Sequence, residues 1–317
     1  MSTAVSPWII SRRQDLTWFS GSALFGYLIL LAAVTFGLPA KFFLAFALTI
    51  DGPHVYSTFT RVVFDREERA RLKLVWLVAL PICLIGAPLL VLLLGFGWFF
   101  VLVATVSHYH ISKQHMGFVM IYKRKAQERD DFKLDKYFTL IALILPFLFF
   151  LSAVFSKGMN FLPVFLIPEV LLVGFYLQHQ MKKEAINWPK VLVLIGFVPL
   201  QWAAWSFAAA APESLSRIVI AGVVSNVGHS FQYLRLMFFH NHNRYGQRHD
   251  LLGIISRKWI YFMAAAVVLA SPNLMNYAAL SNVLGGALIG ILFFHFVLDS
   301  KIWRIRGNAE LAKALNL

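Results

Sequence analysis

The chain has 317 residues, of which 59% are hydrophobic and 14% charged, and its mean hydropathy is +0.68. Apolar runs recur at about the 20 residues that a helix needs to cross a bilayer, which excludes an ordinary soluble globular protein. The one cysteine, Cys83, excludes an intrachain disulfide and a thiolate-built metal site, and the net charge of +14 must be read against where the cations fall.

The first apolar run, about 18–38, is long and has no small-residue cleavage site before the next run. It reads as a transmembrane helix and not as a cleavable signal. Further helices are expected at about 41–63, 73–95, 97–122, 136–155, 162–181, 190–211, 213–239, 255–271 and 277–299. Pro168 and Glu169 suit the first turn of a helical segment, where a missing N–H costs nothing and an acid meets the positive dipole end. That role makes Glu169 a poor catalytic candidate.

The connections alternate in charge. GLPAK, GFG, SKGMNFLP, AAPES and SPNLMN are short and nearly free of cations. DREERARLK (65–73), KRKAQERDDFKLDK (123–136), KKEAINWPK (182–190), NHNRYGQRHD with Arg257 and Lys258 beyond it, and the tail KIWRIR are basic. With Arg12 and Arg13 ahead of the first helix, only Lys41, Lys157 and Arg217 of the 29 cations fall on the poor side. Cations gather on the cytoplasmic side of membrane proteins. The expectation is therefore an all-α, polytopic helix bundle of about ten transmembrane helices. It forms one membrane domain over residues 1–317, with both termini cytoplasmic, in a bacterial cytoplasmic membrane. The basic charge is then a topology signal, and nucleic acid is not an expected partner.

That topology sorts the histidines. His54 lies late in the second predicted helix; His108, His110 and His115 occupy the inner half of the fourth; His179 ends the sixth. His229 and His240 lie along the eighth, His295 is late in the tenth, and His242 and His249 sit in a cytoplasmic loop. None falls on an odd-numbered predicted helix or on an outer connection. At 3.6 residues per turn, His108 and His115 share a face with Ser112 between them, while His110 points elsewhere. His229 and His240 share another face with Gln232, Tyr233 and Leu236; Asp51, His54, Thr58 and Arg61 line up, and Asp299 follows His295 by four residues.

Neutral imidazole is the commonest metal ligand, and nitrogen-rich sites without thiolate suit iron, copper or zinc. The expected ligands are His54, His108, His115, His229, His240 and His295. Asp51, Asp299, His110, Gln232 and Tyr233 would support them, because a ligating ring usually donates its second N–H to an acceptor. His179, His242 and His249 read as interfacial residues at helix ends. A metal near the cytoplasmic surface of a bundle with no large soluble part suits an apolar substrate arriving from the membrane. No P-loop, Gly-rich nucleotide fingerprint or Ser nucleophile elbow competes with that reading. No individual catalytic residue is assigned.

The fragments DGPHV, HYHISKQH and GHSFQYL resemble the histidine-bearing segments of the Brp/Blh β-carotene dioxygenases. Pro53 and His54 match the family's PHG…D motif, and His229 and Ser230 its WHSxRH motif; Tyr233 stands where that motif has a second histidine. The resemblance covers a few short fragments and implies a multi-helix membrane protein whose iron is held by histidines, with His240 or His295 supplying the displaced ligand. Clustered cytoplasmic histidines also resemble those of the membrane fatty-acid desaturases and hydroxylases, but HxxHH boxes are absent. The expected activity is a non-haem-iron oxygenase or desaturase that uses dioxygen and an electron donor on a lipid or isoprenoid. The alternatives are a haem-binding membrane cytochrome and a metal or ion transporter. The transporter would need polar residues through the full membrane depth.

Overall fold

A computed structural model describes residues 6–37, 42, 46–156, 161–270 and 283–317. The expectations about Lys41, Lys157, the connection at 271–276 and the starts of the helices at 41 and 277 lie outside these residues. Every regular element among the described residues is helical.

The helices are α1 (Arg12–Asp15), α2 (Ser22–Phe36), α3 (Gly52–Phe64), α4 (Arg66–Arg71), α5 (Lys73–Gly95) and α6 (96–125). They continue as α7 (Phe132–Phe155), α8 (Leu162–Met181), α9 (Trp188–Ala209) and α10 (Leu215–Tyr245). The last are α11 (Leu251–Arg257), α12 (Trp259–Ala270), α13 (Val283–Ile302) and α14 (Ala309–Ala314). Single π-helical turns at Leu16–Ser20 and Ala47–Asp51 lead into α2 and α3.

Six segments are long and apolar enough to cross a membrane: Arg12–Phe36, Lys73–Gly95, Phe132–Phe155, Leu162–Met181, Trp188–Ala209 and Gly285–Ile302. The pair α11 and α12, bent by 119°, makes a seventh if it counts as one broken span. This is a membrane protein. Helices α3, α6 and α10 miss the criterion, and they are the ones carrying His54, His108, His110, His115, His229 and His240. Helix α3 is too short at 13 residues, while polar side chains dilute the hydropathy of α6 and α10; inside a membrane such groups are costly unless partnered.

Several expected boundaries correspond closely: 162–181 is α8, and 73–95 is α5. The break at GFG is the backbone of Gly95, whose φ of 69° and ψ of 161° leave the helical region where only glycine is unstrained. Three expectations need correction. The span 255–271 is two helices, the basic stretch 65–73 is largely helical, and Pro168 lies inside α8. Asp65 explains the second, since its carboxylate accepts the Glu67 N–H at 3.0 Å and caps α4. In α8 the first turn holds Pro163, and Glu169 is a buried side chain further along, so the dipole role expected for it does not apply.

The chain divides into two compact units, residues 1–38 with 106–232 and residues 39–105 with 233–317. In the first, α7 packs against α8 and α9, and α2 packs against α9. Phe19, Phe118, Phe147, Phe197 and Trp205 are buried in it. One end is tied by charges: Lys190 Nζ donates to Glu128 Oε1 at 2.9 Å and to Asp135 Oδ1 at 3.0 Å, and Lys183 also pairs with Glu128. Glu128 lies in the connection between α6 and α7. Partial burial pushes its carboxyl up, but hydrogen bonds from Lys183 and Lys190 outweigh that and hold it at about 2.

In the second unit α3 packs against α12, α13 and α11. Val62, Tyr233, Leu234, Met237, Phe262, Phe294 and Leu298 form its apolar core. A second contact depends on glycines: a Cβ on Gly286 would lie 2.7 Å from Pro88 Cα, and one on Gly290 would lie 2.4 Å from the Cys83 carbonyl oxygen. Helices α5 and α13 therefore meet backbone to backbone, as small residues four apart permit in membrane helices.

Candidate metal centre

The second unit gathers a polar group inside its apolar core. Helix α3 supplies His54 and, one turn later, Thr58; α13 supplies His295 and, one turn later, Asp299; α10 supplies Tyr233. All five are buried. The i, i+4 spacing puts each pair on one face of its helix, and Pro53 in the first turn of α3 costs no intrahelical hydrogen bond. The rings of His54 and His295 meet edge to face, with centroids 4.9 Å apart, and Tyr233 packs edge-on against His54 at 4.7 Å.

Hydrogen bonds join the group. The Tyr233 hydroxyl donates to Asp299 Oδ1 at 2.6 Å. Thr58 Oγ1 lies 2.5 Å from the Tyr233 oxygen, a separation that requires a proton between them. Thr58 Oγ1 also donates to Asp299 Oδ1 at 3.2 Å and lies 2.9 Å from His295 Nδ1. The other ring nitrogen, Nε2, faces Asp299 Oδ2 at 3.5 Å.

Ligand atoms each about 2.0–2.2 Å from one metal ion lie about 3.0–3.5 Å apart. His54, His295 and Asp299 each offer one ligand atom, and these atoms lie within 4.8 Å of one another. The group can hold a metal ion. Asp51 Oδ1 stands 3.8 Å from His54 Nδ1, on the side where an acceptor for a ligand's second N–H belongs.

No known relative identifies the chain. No protein-family model matches it, and no curated protein or solved structure matches it.

The remaining expected residues fall elsewhere. His240, in the second unit, uses Nδ1 on Asn241 Oδ1 at 2.9 Å and packs between Tyr245 and Trp303. In the first unit, the ring of His229 lies 5.4 Å from that of His110 and 6.2 Å from that of His115. His115 is bonded through Nδ1 to the Ile111 carbonyl at 2.9 Å, which fixes its tautomer and leaves a bare, buried Nε2. His108 Nε2 donates to the Leu143 carbonyl at 2.8 Å, and its ring stacks on Phe147. Gln232 donates to the Phe19 carbonyl at 2.6 Å.

Tyr233 and Asp299 were expected to support the metal, and both belong to the group in the second unit. Asp299, however, is itself one of the candidate ligands, with Oδ2 toward His295 Nε2, while Thr58 lies against Nδ1. Thr58 carries a role that sequence reasoning did not assign. Its signal was the four-residue spacing from His54, which places it on the same face without showing what it meets there.

Proposed function

We propose that this protein is an integral-membrane, metal-dependent oxidoreductase that holds non-haem iron and acts with dioxygen on a lipid or isoprenoid. The observation that carries the reading is the donor set of His54, His295 and Asp299, with His295 Nε2 and Asp299 Oδ2 3.5 Å apart. Two imidazoles and one carboxylate around open positions are the ligands of non-haem Fe(II) oxygenases. Such a metal, when bound, supplies dioxygen activation. The chain's own residues would hold and shield it: Thr58 meets Nδ1 of His295, Tyr233 orients Asp299, and Phe59, Phe294, Leu298 and Met237 exclude water.

A carboxylate in the group departs from the all-histidine iron of the Brp/Blh enzymes, so the likeness carries no further than multi-helix membrane iron chemistry. A haem clamped between His54 and His295 fits poorly, because an axial pair needs its rings on opposite faces of a macrocycle and these rings touch each other. The alternation of basic and neutral connections supports about ten crossings, cytoplasmic termini and a metal on the cytoplasmic side.

Metal analysis with optical spectroscopy on the detergent-purified protein tests the reading. Iron without a Soret band is expected in the wild type, with occupancy lost in His54→Ala and His295→Ala. Full iron occupancy in both variants, or a Soret band in the wild type, would overturn it.

A further inference from the structure

Tyr233 does more than the metal reading requires. An orienting hydrogen bond to Asp299 could come from any hydroxyl, but here it comes from a phenol whose ring also touches the edge of His54 at 4.7 Å and lies 5.7 Å from His295. On its other side the ring meets Trp303 edge to face at 5.9 Å. Trp303 is partly exposed and follows the end of α13. The phenol thus stands in van der Waals reach of two candidate ligands, with a second oxidisable ring leading away from them.

We propose that Tyr233 is redox-active, supplying one electron to the metal of this centre once dioxygen has oxidised it; the proposal rests on the metal reading above. In that step the phenolic O–H bond breaks. The electron lowers the oxidation state of the metal by one, the proton passes to Asp299 Oδ1, and a neutral phenoxyl radical remains on Tyr233. The geometry favours the step because phenol oxidation without proton loss would leave a cation radical in an apolar interior, a costly buried charge. The proton needs no diffusion, since Oδ1 already accepts it at 2.6 Å. Thr58, at 2.5 Å, holds a hydroxyl on the same oxygen and stabilises it as the proton leaves. Trp303 then relays an electron from an external one-electron donor of the ferredoxin or flavin type back to the radical, the proton returns from Asp299 Oδ1, and the phenol is restored.

The test is electron paramagnetic resonance of iron-loaded, reduced protein, freeze-quenched after mixing with oxygenated buffer. The expected result is a tyrosyl radical signal whose hyperfine pattern changes when the protein is made with ring-deuterated tyrosine. Tyr233→Phe, loaded with added iron to the wild-type content, should lose the signal, and Trp303→Phe should lengthen the lifetime of the radical. 3-Fluorotyrosine at position 233 keeps the hydroxyl and should alter the hyperfine splitting even if the phenylalanine variant misfolds. Iron that oxidises in the wild type without a radical, or a signal unchanged in both 233 variants, overturns this proposal alone. A wild type that binds no iron overturns the metal reading and this proposal with it.

Discussion

Thr58 shows how much a single hydroxyl decides. It touches Tyr233, His295 and Asp299. With Nδ1 of His295 against Thr58, Nε2 is the nitrogen that a metal would take. Removing the acceptor for a ligand's second N–H typically weakens metal binding about 10- to 100-fold. Thr58→Val, nearly the same shape, is therefore expected to lower iron affinity by about that factor while the helical circular dichroism is unchanged. Thr58→Ser should restore affinity, as an acceptor oxygen returns. Iron titration of the three proteins in one detergent checks this, and equal affinities would remove Thr58 from the centre.

Helix α13 is placed by glycines and then delivers chemistry at its far end. Gly286 and Gly290 allow its backbone to lie against Pro88 and Cys83 of α5; His295 and Asp299 follow within the next three turns. A methyl group at Gly290 would come within 2.4 Å of a backbone oxygen, which cannot rotate away as a side chain could. Gly290→Ala should thus push α13 outward, at a cost of about 1–3 kcal/mol, the usual range for overpacking. The expected readout is a lower thermal midpoint together with reduced iron occupancy. Gly222→Ala serves as the control, because nothing lies within 4 Å of its Cβ position.

For the molecule as a whole, the charge distribution makes the firmest demand. Cations concentrate in alternate connections, so the loop after α6 and the turn between α9 and α10 should face opposite sides of the membrane. Single cysteines at Arg129 and Pro212, introduced after replacing Cys83, test this with a membrane-impermeant thiol reagent on intact cells and on inverted vesicles. The expected outcome is labelling of position 212 from outside and of position 129 only in inverted vesicles. Labelling of both from one side would withdraw the cytoplasmic placement of the metal.

Helix positions were readable from the chain itself because each needs only a local property, an apolar run bounded by charged or glycine-containing breaks. The limits of α5 and α8 were legible for that reason. Periodicity shows which side chains share a face of one helix, so the pairs His54 with Thr58 and His295 with Asp299 could be read directly. It does not show which faces of different helices meet. Only the tertiary structure set Tyr233 against Asp299, gave Thr58 its two partners from α10 and α13, and turned Gln232 to the Phe19 carbonyl. Those contacts join residues far apart in the chain, and they depend on how closely backbones approach and on where each proton can go.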